Sequence, residues 1–73
     1  MSELPILSAK ELIGLLEKIG YREVRQRGSH IRLSCPGRNS VTVPNYKTID
    51  RSLLKKILRD AELTAAELEN LSR

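Results

Sequence analysis

The stretch HIRLSCPGRNSVTVP, residues 30–44, specifies a pair of antiparallel strands. Apolar and polar residues alternate in residues 30–34 and again in residues 40–43, which is the pattern of strands that bury one face. Residues 35–39 contain Pro, Gly and Asn, which favour turns. The final proline ends the pairing of the second strand, because it has no N–H group to donate. The stretch is therefore predicted to form a hairpin.

The residues before this hairpin predict one more strand. Residues 21–27 are polar and contain Val24, and Gly28-Ser29 follows as a two-residue sequence suited to a tight turn. Two successive hairpins make a three-stranded antiparallel meander.

Helices are predicted on both sides of the strands. Ser8-Ala9-Lys10-Glu11 is a capping-box motif followed by leucines at helical spacing, which predicts a helix near residues 8–19. A second helix is expected after the strands, capped by Asp50 or Thr48. Another capping-box motif predicts a short terminal helix over residues 65–71.

The order of elements is then α-β-β-β-α, and the fold class is α+β. A sheet with one apolar face needs cover on that face, and two helices packed there would provide it. A chain of 73 residues has room for one core, so residues 1–73 are predicted to form a single domain.

Basic charge is concentrated in the middle of the chain. The net charge is +4, but between Arg22 and Arg59 ten basic residues face two acidic ones, which gives +8 for this segment. Such a distribution is typical of a protein with a polyanionic partner, although a solvated surface of mixed charge is the alternative. The chain has two Tyr and neither Phe nor Trp, so a platform that stacks nucleobases is not expected.

Several other classes of protein are disfavoured by the composition. There is no long apolar run or signal-peptide pattern, so no membrane association is expected. The single cysteine, Cys35, favours the cytoplasm over a secreted, disulfide-stapled domain. One histidine, one cysteine and scattered carboxylates do not form a zinc site, so neither a metal nor another cofactor is expected.

His30 is the candidate catalytic residue. It follows the Gly28-Ser29 turn directly and should share the outward face of its strand with Arg32. Histidine is the side chain whose ordinary pKa, about 6.5, suits proton transfer near neutral pH. An exposed strand histidine without a catalytic task is the alternative interpretation.

Nucleophilic dyads with His30 are disfavoured by the alternation of strand residues. Cys35 lies five positions away, which places it on the opposite face and roughly 16 Å distant at about 3.3 Å per residue. Ser29 is adjacent to His30 and also points away from it. A protease-like Cys-His or Ser-His pair is therefore not expected.

Three segments together resemble the HicA (YcfA-like) toxin family. They are Arg25-Gln26-Arg27-Gly28-Ser29-His30, then Val41-Thr42-Val43-Pro44 after a Pro-Gly turn, and Leu54-Lys55-Lys56-Ile57-Leu58-Arg59-Asp60-Ala61-Glu62-Leu63-Thr64. The first helix, which ends in Ile19-Gly20-Tyr21, also fits the family.

The resemblance implies a double-stranded-RNA-binding-like (dsRBD-like) fold used as a metal-independent endoribonuclease. Members of the family cleave messenger RNA, inhibit translation and are neutralised by a HicB antitoxin, and their catalytic histidine corresponds to His30. Many members carry a second histidine two residues after the proline that ends the third strand. Here that position is Tyr46.

RNA supplies its own nucleophile, the 2′-hydroxyl, so the protein needs only to move protons and stabilise the phosphate. His30 would act as general acid or base, and Arg27, Arg32 or Lys47 would stabilise the developing charge. The second proton carrier is left open among water, Tyr46 and Lys47. Further phosphate contacts are expected from the second helix, at Lys55, Lys56 and Arg59.

Two other functions fit the same residues. One is a non-catalytic RNA-binding module of dsRBD-like fold, in which His30 is incidental. The other is a protein-interaction domain whose basic face serves an acidic partner. Cleavage of RNA in the presence of a chelator separates the enzyme from the binder, and salt-sensitive affinity for RNA argues against the interaction domain.

Overall fold

The computed structural model describes residues 6–72 and has the predicted order of elements. The elements are α1 (Ala9–Glu17), β1 (Arg22–Arg27), β2 (His30–Cys35), β3 (Arg38–Pro44), α2 (Arg51–Asp60) and α3 (Ala65–Leu71). The three strands form an antiparallel sheet in the order β1-β2-β3. The expected α+β class and the meander are thus confirmed.

The helices begin at the expected caps. Ser8 accepts a hydrogen bond from Glu11 N–H, and the Glu11 carboxylate accepts one from Ser8 N–H, which completes the capping box of α1. These bonds, the one from the Ser8 backbone first, lower the pKa of Glu11. Of the two candidate caps for α2, Asp50 is the one used, since its Oδ1 accepts from Leu53 N–H at 2.8 Å.

Two predicted boundaries are wrong by a few residues. The second turn was expected over residues 35–39, but Cys35 and Arg38 pair, so only Pro36-Gly37 lies between the strands. Gly37 has a φ of +81°, which permits this tighter turn. The helix α1 ends at Glu17 instead of residue 19, because the next N–H groups bond to carbonyls three residues back and tighten the chain.

The core lies between one face of the sheet and the helices. Its buried apolar residues come from every element except β1, in which all six residues are exposed. Alternate residues of the other strands are buried, and these are Ile31, Leu33 and Cys35 in β2 and Val41 and Val43 in β3. The opposite face of the sheet is therefore left to the polar residues.

Two long-range hydrogen bonds join segments that are distant in the sequence. Tyr21 is buried, and its hydroxyl donates to the carbonyl of Asn39 at 2.7 Å. Burial raises the pKa of this phenol. Lys18 at the end of α1 donates to the carbonyl of Leu71 in α3 at 2.7 Å.

In the part of the chain described, no helix is long and apolar enough to cross a membrane.

Candidate active site

The exposed face of the sheet carries polar residues that pair across the strands, with the buried Pro44 ending one of the rows. In the first row Arg27 pairs with His30 and His30 with Pro44, and in the second Arg25 pairs with Arg32. Strand alternation explains the arrangement, because Ile31 is buried and its two neighbours in β2 must face outward. His30 and Arg32 therefore share the open face, as expected from the sequence.

The turn before His30 is fixed from two sides. Gly28 has a φ of +56° and no positive φ occurs at Ser29, which is the pattern of a type II′ turn. The carbonyl of Ser29 accepts a hydrogen bond from Asn45 N–H at 2.5 Å, so the turn is tied to the segment that follows β3. The Gln26 side chain donates to the carbonyl of Gly28 at 3.2 Å. His30 thus starts β2 from a well-supported position.

A groove of about 500 Å³ lies between this open face and α2. Its lining includes the sheet residues His30 and Arg32, the loop residue Tyr46, and the α2 residues Lys56 and Asp60. The remaining lining residues are Ser40, Thr42, Pro44, Leu53 and Ile57. Half of the Tyr46 side chain is exposed, 50%, so its ring is open to a ligand in the groove.

The two ends of the groove differ in charge. Arg38 at the start of β3 donates to the carbonyl of Ala61 at 2.8 Å, so the end of α2 lies beside the beginning of β3 and the two elements run antiparallel. Asp60 therefore lies at the end of the groove marked by Ser40. His30 pairs with the last residue of β3 and lies at the opposite end. An anion is favoured at the His30 end and disfavoured near Asp60.

Two shallower depressions adjoin the groove and are also basic. One, of about 190 Å³, is lined by Arg25 and Arg27 together with three residues of the groove. The other, of about 330 Å³, lies on α2 and is lined by Ser52, Lys55, Lys56 and Arg59. The three surfaces share residues, so a basic track crosses the molecule from β1 over the open face to α2.

The predicted site residues fall into three groups. His30, Arg32 and Lys56 line the groove, Arg27 lines the depression on the β1 side, and Lys55 and Arg59 line only the depression on α2. Lys47 is exposed in the loop after β3 and lines none of these three surfaces. The expectation that Lys47 stabilises charge on the phosphate stays a prediction.

Cys35 is far from this surface. It is buried, and its Sγ lies 3.6 Å from the carbonyl oxygen of Ile19. The expectation that Cys35 and His30 do not form a nucleophilic pair is confirmed by their positions on opposite faces of β2. Among residues 6–72, no group of three or more His, Cys, Asp or Glu side chains could hold a metal ion.

Among the polar residues that line the groove and the depression on the β1 side, four were not predicted from the sequence as site residues. Arg25 and Thr42 follow from the register, which places both beside Arg32, and the alternation of the strands was a sufficient signal for them. Ser40 lies on the same face by the same rule. Asp60 had no local signal, because its place depends on how α2 packs against β3.

The chain matches a known protein family over most of its length. The model of a family described as the HicA toxin of bacterial toxin-antitoxin matches residues 9–63, from the first residue of α1 to the segment after α2. This range contains the groove and both depressions. A search of curated proteins found no match.

Proposed function

Because this chain belongs to the HicA toxin family of bacterial toxin–antitoxin systems, we propose that it is a metal-independent endoribonuclease that cleaves messenger RNA. The observation that carries the proposal is the groove beside α2, in which the exposed imidazole of His30 stands together with the cations of Arg32 and Lys56. A proton carrier next to phosphate-binding cations is what cleavage of RNA requires.

The proposed reaction uses the 2′-hydroxyl of the RNA as nucleophile. His30 accepts the proton of this hydroxyl while the 2′-oxygen forms a bond to the adjacent phosphorus. The bond from phosphorus to the 5′-oxygen breaks, and that oxygen takes a proton from the Tyr46 hydroxyl. The products end in a 2′,3′-cyclic phosphate and a 5′-hydroxyl. Arg32 stabilises the negative charge that builds up on the phosphate during the reaction.

The surfaces on either side of the groove hold the rest of the RNA. Arg25 and Arg27 on one side, and Lys55 and Arg59 on the other, contact phosphates without reading bases. Messenger RNA as substrate places the protein in the cytoplasm, where the cleavage inhibits translation. As a member of a toxin–antitoxin family the protein has an antitoxin partner, which we assign to the HicB type and expect to cover the His30 groove.

Cleavage assays with a defined single-stranded RNA test the proposal. Wild-type protein is expected to cut the RNA in the presence of EDTA, and His30→Ala to cut it about 10²–10⁴-fold more slowly. Thermal unfolding should be nearly unchanged by the substitution, since the exposed side chain leaves no cavity in the core. An RNA with a 2′-deoxy sugar at the cleavage position lacks the nucleophile, so neither protein should cut it.

A mock purification from cells that lack the protein is the control for contaminating nucleases. Undiminished cleavage by a folded His30→Ala protein would refute the assignment of the proton carrier. Loss of wild-type activity in EDTA would refute metal independence. Salt-sensitive binding of RNA by a wild-type protein that never cuts it would identify a non-catalytic RNA-binding module instead.

A further inference from the structure

The wall of the groove formed by α2 carries a single cation within the described chain, Lys56. The other α2 residues in the lining are Leu53, Ile57 and Asp60. Among residues 6–72, Lys56 is exposed and makes no hydrogen bond or ion pair. Its ammonium group is therefore available to a ligand.

The antiparallel packing of β3 and α2 determines the position of Lys56 along the length of the groove. Leu53 is three residues before it, toward the His30 end, and Asp60 is four residues after it, toward the other end. Lys56 and Asp60 are four residues apart, which is roughly one helical turn at about 1.5 Å per residue. Lys56 is closer than Asp60, by that distance, to the end of the groove that holds His30 and Tyr46. Lys56 and Arg32 therefore line the same groove, Lys56 from the α2 side and Arg32 from the sheet side.

The neighbouring lysine provides a contrast within the same helix. Lys55 and Lys56 have the same charge and both are exposed, but Lys55 lines only the depression on the outer side of α2. The difference arises because successive residues of a helix point about 100° apart, at 3.6 residues per turn. Of the two lysines, only Lys56 lines the groove.

We propose that Lys56 is a catalytic residue that binds a non-bridging oxygen of the scissile phosphate and stabilises the negative charge of the transition state. The proposal rests on the ribonuclease function given above. As the 2′-oxygen bonds to phosphorus and the bond to the 5′-oxygen breaks, the two non-bridging oxygens gain charge. Arg32 from the sheet and Lys56 from the helix bracket them from opposite walls. Lys56 keeps its proton throughout, so its contribution is electrostatic.

The test compares Lys56→Gln with Lys55→Gln in single-turnover cleavage of one single-stranded RNA. Both changes remove one positive charge and keep most of the side-chain stem. Lys56→Gln is expected to lower the cleavage rate at saturation by about 10²–10³-fold. Lys55→Gln removes a peripheral phosphate contact, so it should weaken binding and lower the saturated rate far less than Lys56→Gln does. Lys10→Gln, at an exposed lysine of α1 that lines none of the three basic surfaces, should leave both the rate and the binding unchanged. Lys56→Arg should cleave the RNA at least about tenfold faster than Lys56→Gln, because it restores the charge.

A second measurement separates binding from catalysis. Affinity for the same RNA with a 2′-deoxy sugar at the cleavage position should fall to a similar extent in Lys55→Gln and Lys56→Gln. Equal saturated cleavage rates of these two variants, with an active wild type, would overturn the role of Lys56 and leave the ribonuclease function intact. A complete lack of rescue by Lys56→Arg would also overturn it, since charge alone would not explain the effect. A wild-type protein that cuts no RNA would overturn both proposals.

Discussion

Tyr46 is the residue at which this chain departs from the pattern that its family resemblance implies. Its backbone is held by two hydrogen bonds, from its own N–H to the carbonyl of Pro44 at 2.7 Å and from Ala9 N–H to its carbonyl at 2.9 Å. The position is therefore fixed between the end of β3 and the start of α1. A side chain placed here faces the same groove as His30, so its proton chemistry bears directly on the proposed reaction.

Substitutions at Tyr46 should change the rate and the pH profile of cleavage. Tyr46→Phe removes the hydroxyl that donates the proton to the 5′-oxygen, and cleavage should fall by about 10²-fold. Tyr46→His supplies a stronger acid and should cut faster than wild type at pH 6, with the rate falling as the pH rises through about 6.5, where histidine loses its proton. The measurement is the cleavage rate at saturating RNA between pH 5 and pH 9.

Thermal unfolding of both variants is the control, because the half-exposed ring contributes little to the core. If Tyr46→Phe cuts as fast as wild type across this range, the proton comes from water and not from the tyrosine hydroxyl.

At the scale of elements, the pairing of β1 with β2 places like charges side by side. Arg25 and Arg32 are direct partners on the open face, and the depression that they line with Arg27, His30 and Thr42 contains no carboxylate. Like charges opposite each other destabilise a strand pair. A polyanion bound at this face would relieve the repulsion, which is the arrangement expected of a binding surface.

Arg25→Thr should therefore make the free protein more stable and a poorer RNA binder. Removal of the repulsion and the gain of a β-branched residue should raise the free energy of unfolding by about 0.2–1 kcal/mol. Affinity for RNA should fall, with a shallower dependence on salt because one phosphate contact is lost. Urea unfolding and RNA titrations at several salt concentrations measure the two effects.

Arg22→Thr is the matched control in the same strand, because Arg22 pairs with Ser34 and lines none of the three basic surfaces. It should change RNA affinity less than Arg25→Thr does and give a smaller gain in stability. Equal effects of the two changes would mean that net charge, and not the local face, determines RNA binding.

At the scale of the whole molecule, basic residues dominate the track, and a group of acidic residues lies at one end of it. The basic track joins β1, the open face and the outer side of α2, while the acidic residues of the last fourteen positions, Asp60, Glu62, Glu67 and Glu69, lie at the end of α2 and beyond it. A partner with an acidic surface would be steered toward the track by charge.

The antitoxin should therefore bind the track and be sensitive to charge reversal there. Arg25→Glu is expected to weaken the complex with the cognate antitoxin at least about tenfold, mainly through slower association, and Arg22→Glu on the same strand to weaken it much less. Association rates measured at two ionic strengths test this, and the bound antitoxin should block cleavage of RNA. Undiminished binding to both variants would place the antitoxin elsewhere on the molecule.

Local patterns in the chain were sufficient for most of the fold and for part of the site. Alternation with a period of two residues assigned Ile31 and Leu33 to the core and His30 and Arg32 to the open face, because neighbouring residues of a strand must point to opposite sides. Capping motifs predicted where the helices begin, because each motif depends on residues only three positions apart. Such features are encoded within a few residues.

The groove itself depends on packing between distant segments. No local pattern distinguishes Lys56 from Lys55, because the sequence predicts the same phosphate-contact role for both lysines of the second helix. Burial of the apolar side of α2 against the core fixes the rotation of the helix beside β3, and this rotation turns Lys56 and Asp60 toward the sheet. Which residues form the site thus depends on how one helix docks against the sheet. The hydrophobic core sets this docking, and the run of charged residues in the sequence does not reveal it.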